Sequence, residues 1–333
     1  MRNKTCPSCG RDDLARRFKG DPEILECRSC RLAFLADFPT PAERAAYYQD
    51  EYYEQGTGRR FLHPFEWLVR AFRNRRARDI LKRLPPAGGC AARSFLDVGC
   101  GRGLLLEAFE RHGWEAVGTQ LSRTAPAACR KGGAIRIWNG ELDALRLNGE
   151  SFRAAALYHV LEHVDRPAAY LAEVHRLLRP DGLLVVEVPD AGGPGFRFLG
   201  LRNFCLDHPH HLLFFRRSTL RDLLHRSGFR IETESRFSLE YSPFTTLQNL
   251  LNLLPGDENR LYRSFMRNEA GRRLRREPLT WLHALLGTCL AAPAALLSLA
   301  GLFLPTGNTL RFYCRKAPVT RTELERAECA GVV

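Results

Sequence analysis

Phe95-Leu96-Asp97-Val98-Gly99-Cys100-Gly101-Arg102-Gly103 decides the fold of this 333-residue chain. Its first half is apolar around one acid, and its second half sets glycine at every other position. An apolar strand that ends in an acid and turns through glycines brings backbone close to a ligand, because glycine has no Cβ to hold it off. The apolar run Leu104-Leu105-Leu106 then opens a helix predicted over 104–112 and closed by Gly113. A dinucleotide fingerprint, GxGxxG, needs its third glycine where Leu104 stands, and the GxGxG spacing excludes it.

Outward from that turn, short apolar segments alternate with amphipathic ones. Strands are predicted over 94–98, 115–118, 135–138, 154–158, 183–188, 230–234 and 310–315, and further helices over 124–131, 168–178 and 218–227, with Pro180 and Gly228 as stop signals. Such alternation predicts an α/β fold, a parallel sheet covered on both faces. With 45% hydrophobic residues the chain can bury a full core.

Before the sheet, Cys6-Pro7-Ser8-Cys9 recurs as Cys27-Arg28-Ser29-Cys30. Four thiolates at that spacing meet one tetrahedral Zn²⁺ from the tips of two turns, so Cys6, Cys9, Cys27 and Cys30 are read as a structural zinc ribbon that folds with its metal. The seven other cysteines of the eleven, Cys90, Cys100, Cys129, Cys205, Cys289, Cys314 and Cys329, lack metal spacing and read as small buried side chains. No charged-then-apolar leader opens the chain at Met1, and a reducing cytosol is the expectation. The formal charge of +13 favours anionic partners such as nucleic acid, acidic lipid headgroups or phosphorylated sugars. Part of that charge lies in 61–84, a predicted helix whose apolar stripe of Phe65, Leu68, Val69, Phe72, Ile80, Leu81 and Leu84 leaves Arg70, Arg73, Arg75, Arg76, Arg78, Lys82 and Arg83 to its other faces. Pro85, Pro86, Gly88 and Gly89 end it.

A second signature is Leu157-Tyr158-His159-Val160-Leu161-Glu162-His163-Val164, followed after a helix by Leu178-Arg179-Pro180-Asp181-Gly182-Leu183. Together with the glycine turn it makes 94–316 resemble the class I S-adenosylmethionine-dependent methyltransferases, and the cysteine pairs resemble an N-terminal extension of bacterial members. The resemblance implies a Rossmann-like seven-stranded sheet with helices on both faces. It also implies the organisation: a zinc ribbon over 1–38, a linker and basic helix over 39–92, a methyltransferase domain over 93–317 with a helical insertion at 236–308, and a flexible tail over 318–333.

In that family the glycine turn passes beneath the methionine part of the cofactor, a role that falls here to Asp97, Gly99, Cys100, Gly101 and Gly103. The family's second strand ends in an acid that takes both ribose hydroxyls; this sequence departs from it with Gln120, followed by Leu121. An amide accepts one hydroxyl proton and donates elsewhere, without the charge assistance of a carboxylate. Gly140, Glu141 and Leu142 fall in the loop that meets the adenine. A further departure is Arg153, where the family's fourth strand carries an acid.

His159 ends a parallel strand, at the rim where open α/β sheets bind ligands. A methyl on a sulfonium is already activated, so the protein has to align the nucleophile and, for a hydroxyl, take its proton. Histidine suits that task near neutral pH. His159, His163 and His211 are the candidate catalytic residues, although Glu162 and His163 equally suit capping the next helix. The cluster Asp207-His208-Pro209-His210-His211 supplies a base with its orienting partner, a metal site, or hydrogen bonds within the loop. The resemblance implies a hydroxyl acceptor on a glycan, lipid-linked sugar or related small molecule. An RNA methyltransferase and a non-catalytic binding module on the same fold are the alternatives; nucleic acid is disfavoured because no aromatic stacking set accompanies the basic residues.

The run 285–304 carries no charge over about 20 residues, enough to span a bilayer. The strand expected at 310–315 has to rejoin the sheet, which argues against a crossing, and Pro293 is expected to split the run into a helical hairpin of two short arms. With Arg267, Arg272, Arg273, Arg275 and Arg276 upstream, the hairpin either dips into an anionic bilayer surface or packs on protein. A cytoplasmic enzyme at the inner face of the membrane is the corresponding expectation.

Overall fold

The computed structural model describes residues 3–40, 43–44, 63–85, 93–121, 134–303 and 307–317. The helix expected at 124–131, most of the linker before the basic helix and the tail over 318–333 lie outside the described residues.

Three short strands, β1 (Leu14–Phe18), β2 (Ile24–Cys27) and β3 (Ala33–Leu35), form an antiparallel meander between and around the cysteine pairs. Helix α1 (His63–Leu81) follows. The main body then alternates as expected: β4 (Ser94–Val98), α2 (Leu104–Glu110), β5 (Glu115–Gln120), β6 (Ile135–Asn139), β7 (Phe152–Tyr158), α3 (Pro167–Leu177) and β8 (Leu178–Pro189). Helix α4 (Pro194–Leu199), the two-residue β9 (Leu213–Phe214), α5 (Arg217–Arg226) and β10 (Phe229–Ser235) lead to four more helices. These are α6 (Ser242–Leu251), α7 (Arg260–Ser264), α8 (Glu269–Leu274) and α9 (Pro278–Leu299), before β11 (Thr309–Lys316).

The seven-stranded sheet runs β10-β11-β8-β7-β4-β5-β6. Strands β4 to β8 pair in parallel, and β11 lies antiparallel between β8 and β10. Its central strands are buried on both faces, which is why β8 reads Leu183-Leu184-Val185-Val186 without alternation and β7 packs Ala154, Ala155 and Ala156. One face of the core gathers Phe95, Phe109 and Trp114 with Ala77 and Ile80 of α1; the other gathers Leu96, Val98, Leu184, Val186 and the inner side of the ribbon.

Two expectations fail here. The apolar run is one helix, α9, with Pro293 inside it, and not a hairpin. Proline removes one backbone donor, while the alanines and leucines around it keep the other bonds of the ladder. The basic face, too, is only partly free: Arg76 is buried, Arg73 pairs with Glu240 at 2.6 Å and, beyond α1, Arg83 lies 3.9 Å over the Tyr313 ring, while Arg70, Arg75 and Arg78 stay exposed.

Candidate active site

The carboxyl ends of β4, β5 and β7 stand side by side, with Val98 paired to Thr119 on one side and to Leu157 on the other. At the end of β4, Gly99, Gly101 and Gly103 all take positive φ, at 68°, 52° and 72°. A Cβ on Gly99 would stand 2.6 Å from Val160 Cγ2, so the turn is closed to other residues on steric and conformational grounds together. The Cys100 amide donates to Thr119 O at 3.0 Å, which fastens the turn to β5. Asp97 is buried, and burial pushes its carboxyl up to about 7 while Arg73 and Arg76 pull the other way. Gln120 ends β5 with its side chain buried and its Nε2 without a hydrogen-bond partner. Beside it Leu121 is an exposed leucine, the Gly140 amide donates to Gln120 O at 2.9 Å, Glu141 is exposed and Leu142 is buried.

At the end of β7, His159 adopts φ 56°, a left-handed conformation that costs a non-glycine residue about 1–3 kcal/mol and collects at functional sites. The ring is clamped: Nδ1 lies 3.1 Å from Glu162 Oε1, Nε2 lies 3.4 Å from Glu187 Oε1, and the Tyr241 ring packs on it at 4.3 Å. Burial would lower the pKa of His159, yet Tyr241, Glu162 and Glu187 outweigh it and hold the imidazole well above its ordinary value. His163 behaves oppositely, lowered to about 4 by burial and by His211. Its Nδ1 donates to His210 O at 2.8 Å, and His211 Nδ1 donates to Cys205 O at 2.8 Å. The two rings meet edge to face, 4.8 Å apart. Glu162 is buried, and although burial opposes ionisation, the three histidines lower its pKa.

Beneath this floor lies a buried charge network that the sequence reading missed. Glu187, fully buried in β8, takes Arg76 at 2.9 Å on one oxygen and Arg311 on the other; Arg76 also reaches Glu240 at 2.8 Å and stacks 3.8 Å over Tyr158. Burial works against the Glu187 carboxylate, but Arg76 and Arg311 hold it well below the usual range. A lone acid inside Leu183-Leu184-Val185-Val186-Glu187-Val188 is the one signal in the sequence that marks it.

A cavity of about 560 Å³ opens over the histidines, lined by His159, His163, Asp207, His211, Tyr241 and Arg263 among others, and by Asp21 and Pro22 from the turn before β2. The ribbon thus reaches the site. Strand β3 pairs with β9, making one four-stranded sheet from two parts of the chain. Leu212 joins the two sides directly: its carbonyl takes the Leu35 amide at 3.0 Å and its own amide donates to Glu162 O at 2.8 Å. Buried Glu26 draws Arg216 to 2.7 Å, pinning β2 to the body, and Arg31 of the ribbon's own turn to 3.1 Å. At its far end Cys6, Cys9, Cys27 and Cys30 place their four sulfurs within 4.8 Å of one another, with Cys6 and Cys30 at 3.5 Å.

All three candidate histidines therefore meet on one floor, together with Glu162 and Asp207; His208 and His210 contribute less, His210 through its carbonyl. The glycine turn, Gln120 and the Gly140 loop sit at neighbouring strand ends. Arg153 points away from them and donates to Pro85 O.

Comparison with known proteins bears on the fold and the family. A family model described as a methyltransferase domain matches residues 69–234. The ubiquinone biosynthesis O-methyltransferase of Cereibacter sphaeroides is 38% identical over 113 residues, 32% of this chain and 44% of that protein. That of Methylococcus capsulatus is 39% identical over 99 residues, 28% of this chain and 41% of that one. The chain thus spans less than half the length of these curated relatives. Among solved structures, the cyclase SpnF superposes with a TM-score of 0.50 at 17% identity, over 85% of this chain and 98% of its own. That likeness bears on the fold alone. Strand order, glycine turn and matched sequence converge, and through residues 69–234 this chain is a member of the methyltransferase domain family.

Proposed function

We propose that the protein transfers the methyl group of S-adenosylmethionine to a hydroxyl of a small acceptor held in the histidine-lined cavity. One observation carries this reading: the glycine turn and His159 end two paired strands, so a donor on β4 and β5 faces an acceptor over β7. The residues fit the cofactor. Gln120 offers a buried amide nitrogen in need of an acceptor, as a ribose oxygen would supply, and Leu121 offers an apolar surface beside it. The turn at Gly99 admits backbone to the methionine end, and Asp97, when ionised, answers the positive charge there. When bound, the cofactor supplies an electrophilic methyl on sulfur. His159, which its carboxylate neighbours keep protonated, then orients the acceptor oxygen together with His211 and Glu162, and His163, kept neutral by burial, receives its proton. The O-methyltransferase names of the relatives support a hydroxyl acceptor; the glycan or lipid-linked character of that acceptor rests on the resemblance of the ribbon-bearing chain. The four sulfurs suit structural Zn²⁺, whose bonds of about 2.3 Å set neighbouring thiolates slightly under 4 Å apart. Calorimetry with S-adenosylmethionine tests the reading: micromolar binding retained in His159→Ala and His211→Ala, with turnover lost, is expected. Absence of cofactor binding by the intact chain would leave only a binding module.

A membrane-surface location has its own support. Helix α9 turns Gly287, Ala294 and Ser298 inward, with Gly287 against Leu251 and Leu261, and leaves Trp281, Leu282, Leu285, Leu296 and Leu297 exposed. Only 22% of its apolar window is buried, and in water that arrangement is unfavourable. Because β11 rejoins the sheet between β8 and β10, a single crossing would leave it on the wrong side of a membrane, which favours surface contact over a span. Flotation with acidic liposomes is expected for the intact chain and lost in Leu285→Glu/Leu296→Glu; equal flotation by both would exclude the contact.

A further inference from the structure

The floor of the cavity holds a set of donors that acid-base chemistry alone does not require. Glu162, His163 and His211 each place one ligand atom within 4.8 Å of the other two, and His211 Nε2 lies 3.9 Å from Glu162 Oε1. Both imidazoles are fixed in the same tautomer, because a carbonyl oxygen can only accept: Nδ1–H goes to His210 O in one and to Cys205 O in the other. In the neutral form their lone pairs are therefore on Nε2. That second-sphere arrangement, a ring N–H given to backbone carbonyl, is the one by which metal-ligating histidines are oriented and made more basic.

A second observation points to a ligand. Glu162 is 1% exposed and its Oε2 has no hydrogen-bond partner, although its Oε1 is engaged by His159. A buried carboxylate oxygen without a donor is costly and rare. Asp207 adds another carboxylate, with Oδ2 3.8 Å from His211 Nε2. Two imidazoles, a buried carboxylate and a rim carboxylate amount to a mixed nitrogen and oxygen set on one side of an open cavity, which suits a borderline divalent cation such as Mn²⁺, Fe²⁺ or Zn²⁺. Ligand atoms bonded to such an ion at about 2.1 Å stand roughly 3–3.5 Å apart, so the three groups close by about 1 Å through small side-chain rotations.

We propose that Glu162, His163 and His211 bind a divalent cation, with Asp207 at its rim and an open coordination position toward the cavity where an oxygen of the acceptor attaches. The site is separate from the thiolate cluster in both place and ligand chemistry. Its role toward the acceptor rests on the methyl-transfer reading; its affinity for metal does not.

Electron paramagnetic resonance of Mn²⁺ added to the full chain with its cysteine cluster zinc-loaded tests this, since thiolates holding Zn²⁺ do not compete for hard Mn²⁺. One Mn²⁺ per chain is expected to lose its free-ion signal. Glu162→Gln and His211→Asn are expected to restore that signal, weakening binding by more than the roughly 10–100-fold that follows loss of an outer partner. S-adenosylmethionine calorimetry on the same samples verifies that each variant is folded; where one is not, the other decides. Free Mn²⁺ signal in the wild-type titration, or undiminished binding in a folded variant, would overturn the proposal. Bound Mn²⁺ without any methyl transfer would instead keep the cation site and sink the methyl-transfer reading.

Discussion

Replacing Glu187 by Gln removes one charge and almost no volume, which makes it a clean probe of the network under His159. Glu187 is fully buried and holds Arg76 on one oxygen and Arg311 on the other. Arg76 keeps Glu240 at 2.8 Å after the change, whereas Arg311 is left with the Ser238 hydroxyl at 3.1 Å. Breaking a buried pair by removing one partner costs about 3–5 kcal/mol, and the surviving Glu240 contact puts this case near 3. At this chain length 1 kcal/mol shifts Tm by about 2 °C, so a fall of about 6 °C is expected by calorimetry. Removing the orphaned cation as well, in Glu187→Gln/Arg311→Met, is expected to recover about 1 kcal/mol or more, the coupling typical of a contacting pair. His159 also loses its Nε2 neighbour, and its proton affinity falls, which histidine NMR titration reads directly. A Tm drop under about 2 °C, with no recovery in the double variant, would refute the assignment of Glu187 as the counter-charge that holds the floor together.

Gly99→Ala is expected to weaken S-adenosylmethionine at least tenfold by calorimetry, because φ 68° and a Cβ 2.6 Å from Val160 displace the turn. Asp97, raised to about 7 by burial, is protonated in the folded protein below that pH and ionised above it. Affinity for the cationic cofactor is therefore expected to rise about tenfold from pH 6 to pH 8, and Asp97→Asn to flatten the profile. The same raised value favours the folded state at low pH and withdraws that contribution as pH climbs from about 4 to 7, so the variant also loses that slope in urea melts. Cys27→Ser is expected to abolish turnover while S-adenosylmethionine binding changes less than about twofold, since the thiolate cluster directly supports β3, Leu212 and the Glu162 loop, whereas the glycine turn is fastened to β5 through Cys100 and Thr119. Loss of both together would show that the ribbon supports the whole body.

The parts of this architecture carried by local pattern were legible in the sequence. Glycines alternating after Asp97 can serve only a turn, and the strands at 135, 154 and 310 announce themselves by short apolar runs between stop signals. Pro293 misled because one proline, flanked by alanine and leucine, subtracts a single hydrogen bond from a helix that tertiary contacts at Gly287 hold in place. Arg73 and Arg76 read as solvated charges because their partners, Glu240 and Glu187, lie more than a hundred residues away. Strand β9 has only two residues, too few for any periodicity to appear. His159 is a candidate from its place at a strand end, His163 from following it and His211 from the Asp207–His211 cluster, but the left-handed backbone at His159 and the shared Nδ1 hydrogen bonding of the other two are properties of the folded chain.

The pairing of Ala33 with Phe214 and of Phe34 with Leu213 also constrains how the molecule is made. The ribbon leaves the ribosome before β9, and its outer edge waits for a partner about 180 residues further along the chain, a contact of very high order. Until β9 arrives, β3 presents unpaired amides and carbonyls beside Phe34 and Leu35, a template for pairing with another nascent chain. If the thiolates hold zinc as proposed, early metal capture would fix the meander in one register during that wait, and zinc supply during synthesis is expected to set the yield of soluble protein even where the finished protein no longer exchanges its ion.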